Sequence, residues 1–106
     1  MAQLHIVKLK CVKKDDPGVD KDEAILKVSG TTLSGPHKLG RGDEIALNAK
    51  HSFTGSVQLS LTEEDRGKDD ALGTFTIRDT DGKNNRTADF DALAHAYYEA
   101  TYHIDD

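Results

Sequence analysis

The stretch Ser56-Val-Gln-Leu-Ser-Leu-Thr62 alternates polar and apolar residues without interruption. Val57, Leu59 and Leu61 fall on one face of an extended chain, and the polar residues fall on the other. A period of two is typical of a strand that has one face in a core and the other in water. The stretch therefore predicts a β fold built from half-buried strands.

The same alternation recurs along most of the chain. In the first segment, His5, Val7, Leu9 and Cys11 share one face, while Lys8 and Lys10 share the other. Turn residues separate such segments every 8 to 14 residues, a spacing typical of antiparallel sandwiches. A chain of 106 residues has the size of one domain. We therefore predict a single domain, residues 1–106, that is an all-β, antiparallel two-sheet sandwich of about seven strands, near residues 3–12, 24–28, 33–39, 44–48, 55–62, 71–78 and 95–104.

The segment after residue 88 is compatible with two structures. Phe90, Leu93 and Tyr97 have helical spacing, whereas the alternate residues from Ala94 to Ile104 have the spacing of a strand. We favour a short helical turn near 88–93, followed by a strand near 95–104.

Composition limits the classes of function. The net charge of −5 argues against nucleic acid, which is bound through basic contacts to phosphates. No window reaches the apolar length of a transmembrane segment. The first residues lack the basic start and apolar run of a signal peptide. With a single cysteine, Cys11, no internal disulfide is possible, and the cytoplasm is the favoured location.

Acidic residues concentrate in the breaks between the predicted strands. If each strand crosses the domain once, segments 13–22, 40–43 and 63–70 meet at one end, and segment 79–92 lies at the other. Ten carboxylates then repel one another at the first end. Calcium takes six to eight oxygen ligands from such flexible segments, so we predict a calcium site there. The alternative is a set of solvated turns, partly neutralised by neighbouring lysines and arginines.

The stretch from Val57 to Ile77 resembles the third-loop region of C2 domains. A hydrophobic strand leads into the spaced acidic residues Glu-Glu-Asp65, and Asp69-Asp70-Ala-Leu-Gly73 follows. Residues 6–28 resemble the first C2 loop more faintly. The resemblance implies a C2-like sandwich and candidate calcium ligands at Asp16, Asp22, Glu63, Asp65, Asp69 and Asp70.

A second acidic motif, Asp79-Thr-Asp81-Gly82-Lys-Asn84, resembles the opening of an EF-hand loop. It has Lys83 at the fifth position and Asn84 in place of the sixth-position glycine, and the twelfth position is Phe90 instead of glutamate. We therefore predict a tight turn in which Asp81-Gly82 supplies a positive φ. The five histidines form no metal-binding motif in the sequence, and we interpret them as structural or solvated.

The sequence therefore favours a calcium-binding interaction module that is not an enzyme. Val19 alone offers an apolar side chain at the loop tips, which implies weak membrane-surface binding at most. One alternative is a metal-independent interaction or structural domain. Such a domain would bind a protein partner, or form a homo-oligomer, through a strand edge or the face that carries His95, Tyr97, Glu99 and Thr101. Another alternative, a small hydrolase, would need a closed pocket with a shifted carboxylate.

Overall fold

The fold is a two-layer β sandwich, obtained as a computed structural model. The structure describes residues 1–13, 22–65, 68–92 and 96–105, without the side chains of Asp22, Asp65 and residues 68–70. Within these ranges the regular elements are all strands. They are β1 (Ala2–Lys13), β2 (Asp22–Val28), β3 (Thr31–Leu39), β4 (Glu44–Phe53), β5 (Ser56–Asp65), β6 (Lys68–Arg78), β7 (Arg86–Phe90) and β8 (Tyr97–Asp105).

The strands form two four-stranded sheets, in the orders β4-β1-β8-β7 and β3-β2-β5-β6. All the strand pairs within the sheets are antiparallel. The predicted all-β, antiparallel sandwich is therefore confirmed. Successive strands run in alternate directions, so successive connections lie at alternate ends of the domain.

The core lies between the sheets and is filled by alternate residues of each strand. In β8, burial alternates at every position from Tyr97 to Asp105. Leu59 and Leu61 of β5 are fully buried, as the initial stretch predicts. Full burial of a leucine contributes roughly 1.5–3 kcal/mol to folding. The largest fully buried side chains in the described ranges are Tyr98, Tyr102, Phe90, Leu4, Ile6, Leu9, Leu26, Leu39, Leu59, Leu61, Leu72 and Ile77.

A register shift between Ile6 and Lys8 changes the faces of β1 from those predicted. Leu9 and Cys11 are buried as expected, but before the shift the buried residues are Leu4 and Ile6. His5 is therefore on the outer face, and the prediction that it shares the inward face of Leu9 is wrong. An irregularity of one residue reverses the faces of a strand because side chains alternate with a period of two.

The segment after residue 79 contains a strand that we did not predict. Ala88 and Phe90 of β7 are buried, while Thr87 and Asp89 are exposed. The prediction of a helical turn over 88–93 is therefore wrong for residues 88–90, since pairing with β8 imposes a period of two. Residues 93–95 lie outside the described ranges. Segment 79–92 is consequently not one loop, and the described residues form eight strands instead of about seven.

The acidic segment 63–70 is also more regular than a loop. β5 continues to Asp65 and β6 begins at Lys68, so most of the predicted break belongs to the two strand ends of a hairpin. Gly73 lies close to the opposite sheet, with φ of +152°, and a Cβ there would lie 3.1 Å from Cα of Phe90. The two sheets therefore approach each other closely just below this hairpin.

Candidate metal sites at the two ends of the sandwich

The strand directions gather the acidic segments at one end, which we call the acidic end. There β1 ends, β2 begins, and β5 and β6 approach their turn. The connection from Leu39 to Glu44 lies at the same end. The predicted grouping of segments 13–22, 40–43 and 63–70 therefore agrees with the order and directions of the strands.

Glu63 is the most informative residue of the acidic end. It continues the inward row of Leu59 and Leu61 on β5, and only 7% of it is exposed. Within the described side chains, no other charged residue is buried. Burial of a carboxylate is costly unless charge or hydrogen bonds compensate. A buried carboxylate thus continues the inward row of β5 at the edge of the hydrophobic core nearest the acidic end.

The hairpin and β2 bring several predicted ligand positions together along the backbone. Glu63 pairs with Asp70, and Glu64 pairs with Asp69. On its other side, Glu63 pairs with Ala24 of β2, two residues from Asp22. Asp65 pairs with Lys68 at the last described pair of the hairpin. Asp16 lies outside the described residues.

Asp43, another carboxylate of the acidic end, has a structural role in its own loop. Its Oδ2 accepts a hydrogen bond from the Gly40 backbone N–H at 2.8 Å. The loop is also held to β1, because the Cys11 N–H donates to the Asp43 carbonyl and the Gly42 N–H donates to the Cys11 carbonyl. The connection between β3 and β4 is therefore fixed by local hydrogen bonds.

The EF-hand-like turn lies at the opposite end, and its carboxylates also hold the backbone. Asp79 Oδ2 accepts from the Gly55 N–H at 2.9 Å. Asp81 Oδ2 accepts from the Arg78 N–H and from the Tyr102 hydroxyl, each at 3.1 Å. Gly82 has φ of +95°, which confirms the predicted tight turn. These hydrogen bonds support the interpretation of this motif as a turn.

The opposite end also carries a cluster that sequence reasoning missed. His5 pairs directly with His103 across β1 and β8, and Asp105 is two residues beyond His103. One ligand atom from each of these three residues lies within 4.8 Å of the other two. We call this group the histidine cluster and this end of the sandwich the histidine end. Sequence spacing cannot reveal it, because the first and last strands supply its two histidines.

The outer face near the acidic end carries polar pairs. Lys8 Nζ lies 2.8 Å from Glu44 Oε1, and this contact lowers the pKa of the Glu44 carboxyl. The Tyr97 hydroxyl donates to Asp89 at 2.9 Å. This hydrogen bond is the main cause that raises the pKa of Tyr97 to about 12. Both shifts stabilise the ordinary charge state of these groups near neutral pH.

Comparison with known proteins identifies the architecture. No known protein family and no curated protein matches the chain by sequence. A solved structure described as a C2 domain superposes with a TM-score of 0.67, at 14% identity, over 100% of both chains. The chain adopts a C2-like fold.

Two further solved structures share this C2-like fold. The C2A and C2B domains of extended-synaptotagmin 2 give a TM-score of 0.54 at 13% identity, over 97% of this chain and 40% of that one. The second is human GIVD cytosolic phospholipase A2, in complex with a fluorophosphonate inhibitor and terbium chloride. It gives a TM-score of 0.55 at 13% identity, over 99% of this chain and 17% of that one. Within the described part of the chain, no helix has the length and apolar character that a membrane crossing needs.

Proposed function

We propose that this C2-like domain is a non-catalytic module that binds calcium at its acidic end. Its ligands would be carboxylates from segments 13–22 and 63–70, with Asp16, Asp22, Glu63, Asp65, Asp69 and Asp70 as the candidate set. The observation that carries the proposal is the burial of Glu63, a carboxylate at the edge of the core nearest the acidic end. The protein partner of such a module would be recruited or released as calcium orders this end.

The donor set fits calcium in its chemistry. Calcium prefers oxygen ligands and accepts carboxylates from several flexible segments. The backbone pairs Glu63–Asp70 and Glu64–Asp69 carry four acidic residues on adjoining strands. Like charges on neighbouring strands destabilise a sheet. A bound divalent cation would offset that repulsion.

Calcium would act here as a structural and regulatory ion. A ligand that binds the folded state alone stabilises it by roughly 2.7 kcal/mol at a hundred times its Kd. Asp43 and Glu44 lie at the same end. The Asp43 carboxylate accepts a hydrogen bond within its own loop, and Glu44 forms an ion pair with Lys8. The contact with Lys8 lowers the pKa of the Glu44 carboxyl, so this group stays negatively charged beside the proposed site.

The test is a calorimetric calcium titration combined with thermal unfolding. We expect the wild-type chain to bind calcium and to gain up to roughly 2.7 kcal/mol at a hundredfold excess over Kd. Asp65→Asn and Glu63→Gln should lose most of the gain, since each removes a negative ligand. Glu64→Gln is the matched control, because Glu64 is the exposed neighbour of Glu63 on the same strand.

Two results would count against the proposal. A chain that shows no calcium-dependent shift in calorimetry does not have the function proposed here. Equal losses in Glu63→Gln and Glu64→Gln would mean that general surface charge, and not the buried carboxylate, attracts the ion. Light scattering without calcium tests the metal-independent alternative, which predicts a stable oligomer under these conditions.

A further inference from the structure

The histidine cluster joins nitrogen and oxygen donors on the outer face of the β4-β1-β8-β7 sheet. His5, His103 and Asp105 are all partly exposed, so an ion can reach them from solvent. The rings of His5 and His103 meet edge to face, with centroids 4.7 Å apart. Directly paired residues on antiparallel strands bring their side chains together on one face. Sheet register, and not a flexible loop, therefore holds the two imidazoles side by side.

Hydrogen bonds to the side-chain oxygens of two asparagines favour one tautomer of each imidazole. His5 Nε2 lies 3.0 Å from Asn48 Oδ1. His103 Nδ1 lies 3.2 Å from Asn85 Oδ1. An amide oxygen accepts a hydrogen bond from the ring N–H that faces it, and this leaves the lone pair on the other ring nitrogen. The free lone pairs are then on His5 Nδ1 and His103 Nε2, and each ring is oriented by its other nitrogen, as in many metal sites.

The position of Asp105 suits a tetrahedral ion. His103 Nε2 lies 3.3 Å from Asp105 Oδ2. In a neutral ring whose proton is on Nδ1, two lone pairs face each other across this gap. A proton on Nε2 can bridge them, and so can a metal ion. Two ligand atoms on a tetrahedral zinc, with bonds of about 2.05 Å, lie about 3.3 Å apart, which matches the observed separation.

We propose that the histidine cluster is a surface site for a divalent transition metal of the zinc type. The ligands would be His5 Nδ1, His103 Nε2 and one carboxylate oxygen of Asp105, since one ligand atom from each of these residues lies within 4.8 Å of the other two. Two imidazoles and one carboxylate form a known zinc donor set that leaves a position for water or an external ligand. Nitrogen donors separate this site from the calcium site, which uses oxygen alone.

Zinc itself is the probe for this proposal. The tag-free, metal-stripped chain is titrated with zinc chloride by calorimetry, while NMR follows the imidazole resonances. We expect one zinc per chain and shifts of the His5 and His103 rings. The variants His5→Gln and His103→Gln should bind at least about tenfold more weakly, and Asp105→Asn should also bind more weakly. His37→Gln is the matched control, because His37 is on β3 of the other sheet, where it contacts Ser34.

Each outcome decides the question. The site is supported if the chain binds one equivalent of zinc and this binding depends on His5 and His103. The same binding should persist in His37→Gln and in the presence of saturating calcium. Zinc that binds equally well to His103→Gln and to wild type is held elsewhere and overturns the proposal, as does the absence of binding. Thermal unfolding of each variant without metal shows whether it is folded. If a histidine variant is unfolded, Asp105→Asn and the ring shifts of the wild-type chain decide instead.

Discussion

One carboxylate of the acidic end is buried, whereas the carboxylates of the turn at the histidine end are only partly buried. At the histidine end, Asp79 and Asp81 accept hydrogen bonds from the backbone and from Tyr102, so they hold a turn in place. At the acidic end, Glu63 is buried at the edge of the core and pairs along the backbone with Asp70. The motif that most resembles a metal loop in sequence is therefore a structural turn, while the less familiar pattern contains Glu63, the one buried charged residue among the described side chains.

The two groups of candidate metal donors also differ in how far apart they lie in the sequence. The candidate ligands of the acidic end are mostly close in sequence, because one hairpin supplies four of the six. The donors of the histidine cluster come from the first and last strands, and only the antiparallel register of β1 and β8 brings them together. Local sequence patterns can therefore indicate a site of the first kind but not one of the second.

The largest expected effect concerns the core that both ends share. Phe90 of β7 is fully buried and lies against Gly73 of the other sheet. Phe90→Ala should lower the free energy of unfolding by roughly 3–5 kcal/mol, because it removes a large side chain and leaves a cavity. Ile77→Ala, nearer the histidine end, should cost roughly 2–5 kcal/mol. Urea unfolding, followed at both ends by NMR, should give one transition in each variant.

Retention of full stability in Phe90→Ala would mean that β7 does not complete the sandwich. Two separate transitions would mean that the ends do not share one cooperative core.

Alternation of polar and apolar residues in the sequence predicted much of this architecture, because side chains alternate between the two faces of a strand. The alternation of Val57, Leu59 and Leu61 predicted β5, and the strand directions then followed from short connections. β7 was missed because only Ala88 and Phe90 mark it, within a polar segment. The outer position of His5 was missed because the register shift near Val7 leaves no sign in composition. Five predicted ligands remain predictions, because their side chains lie outside the described part of the structure: Asp16, Asp22, Asp65, Asp69 and Asp70.

A smaller loss of stability is expected when the structural carboxylate Asp81 is removed. Asp81→Ala leaves the Tyr102 hydroxyl without its acceptor, although that tyrosine is only 2% exposed. The free energy of unfolding should fall by roughly 1–3 kcal/mol, the cost of an unsatisfied buried group. The stabilisation by calcium should not change, since Asp81 is at the histidine end. Chemical denaturation with and without calcium measures both quantities.

Asn84→Ala, an exposed substitution near the same turn, is the control and should be close to neutral. If Asp81→Ala instead abolished the response to calcium, the roles assigned to the two ends would be reversed.

The smallest expected effect is the loss of stability at alkaline pH. The contribution of tyrosine ionisation to this loss differs between the two ends. Burial, followed by the charge of Asp81, raises the pKa of Tyr102 to about 12 from the ordinary value of 10.0. Because the folded state holds this proton more tightly than the unfolded state, the stabilisation is complete below pH 10.0 and is lost as the pH rises through about 12. Tyr97 has a similar pKa but is partly exposed, so solvent screens its contribution.

We therefore expect Tyr102→Phe to flatten the loss of stability above pH 10.0 more than Tyr97→Phe does, although the first variant also loses a hydrogen bond at neutral pH. Urea unfolding across this range, with tyrosinate absorbance as the direct measure of ionisation, separates the two effects. If Tyr97→Phe had the larger influence on the slope, its hydrogen bond to Asp89 would outweigh burial. The acidic end would then control the alkaline limit, and the buried turn at the histidine end would not.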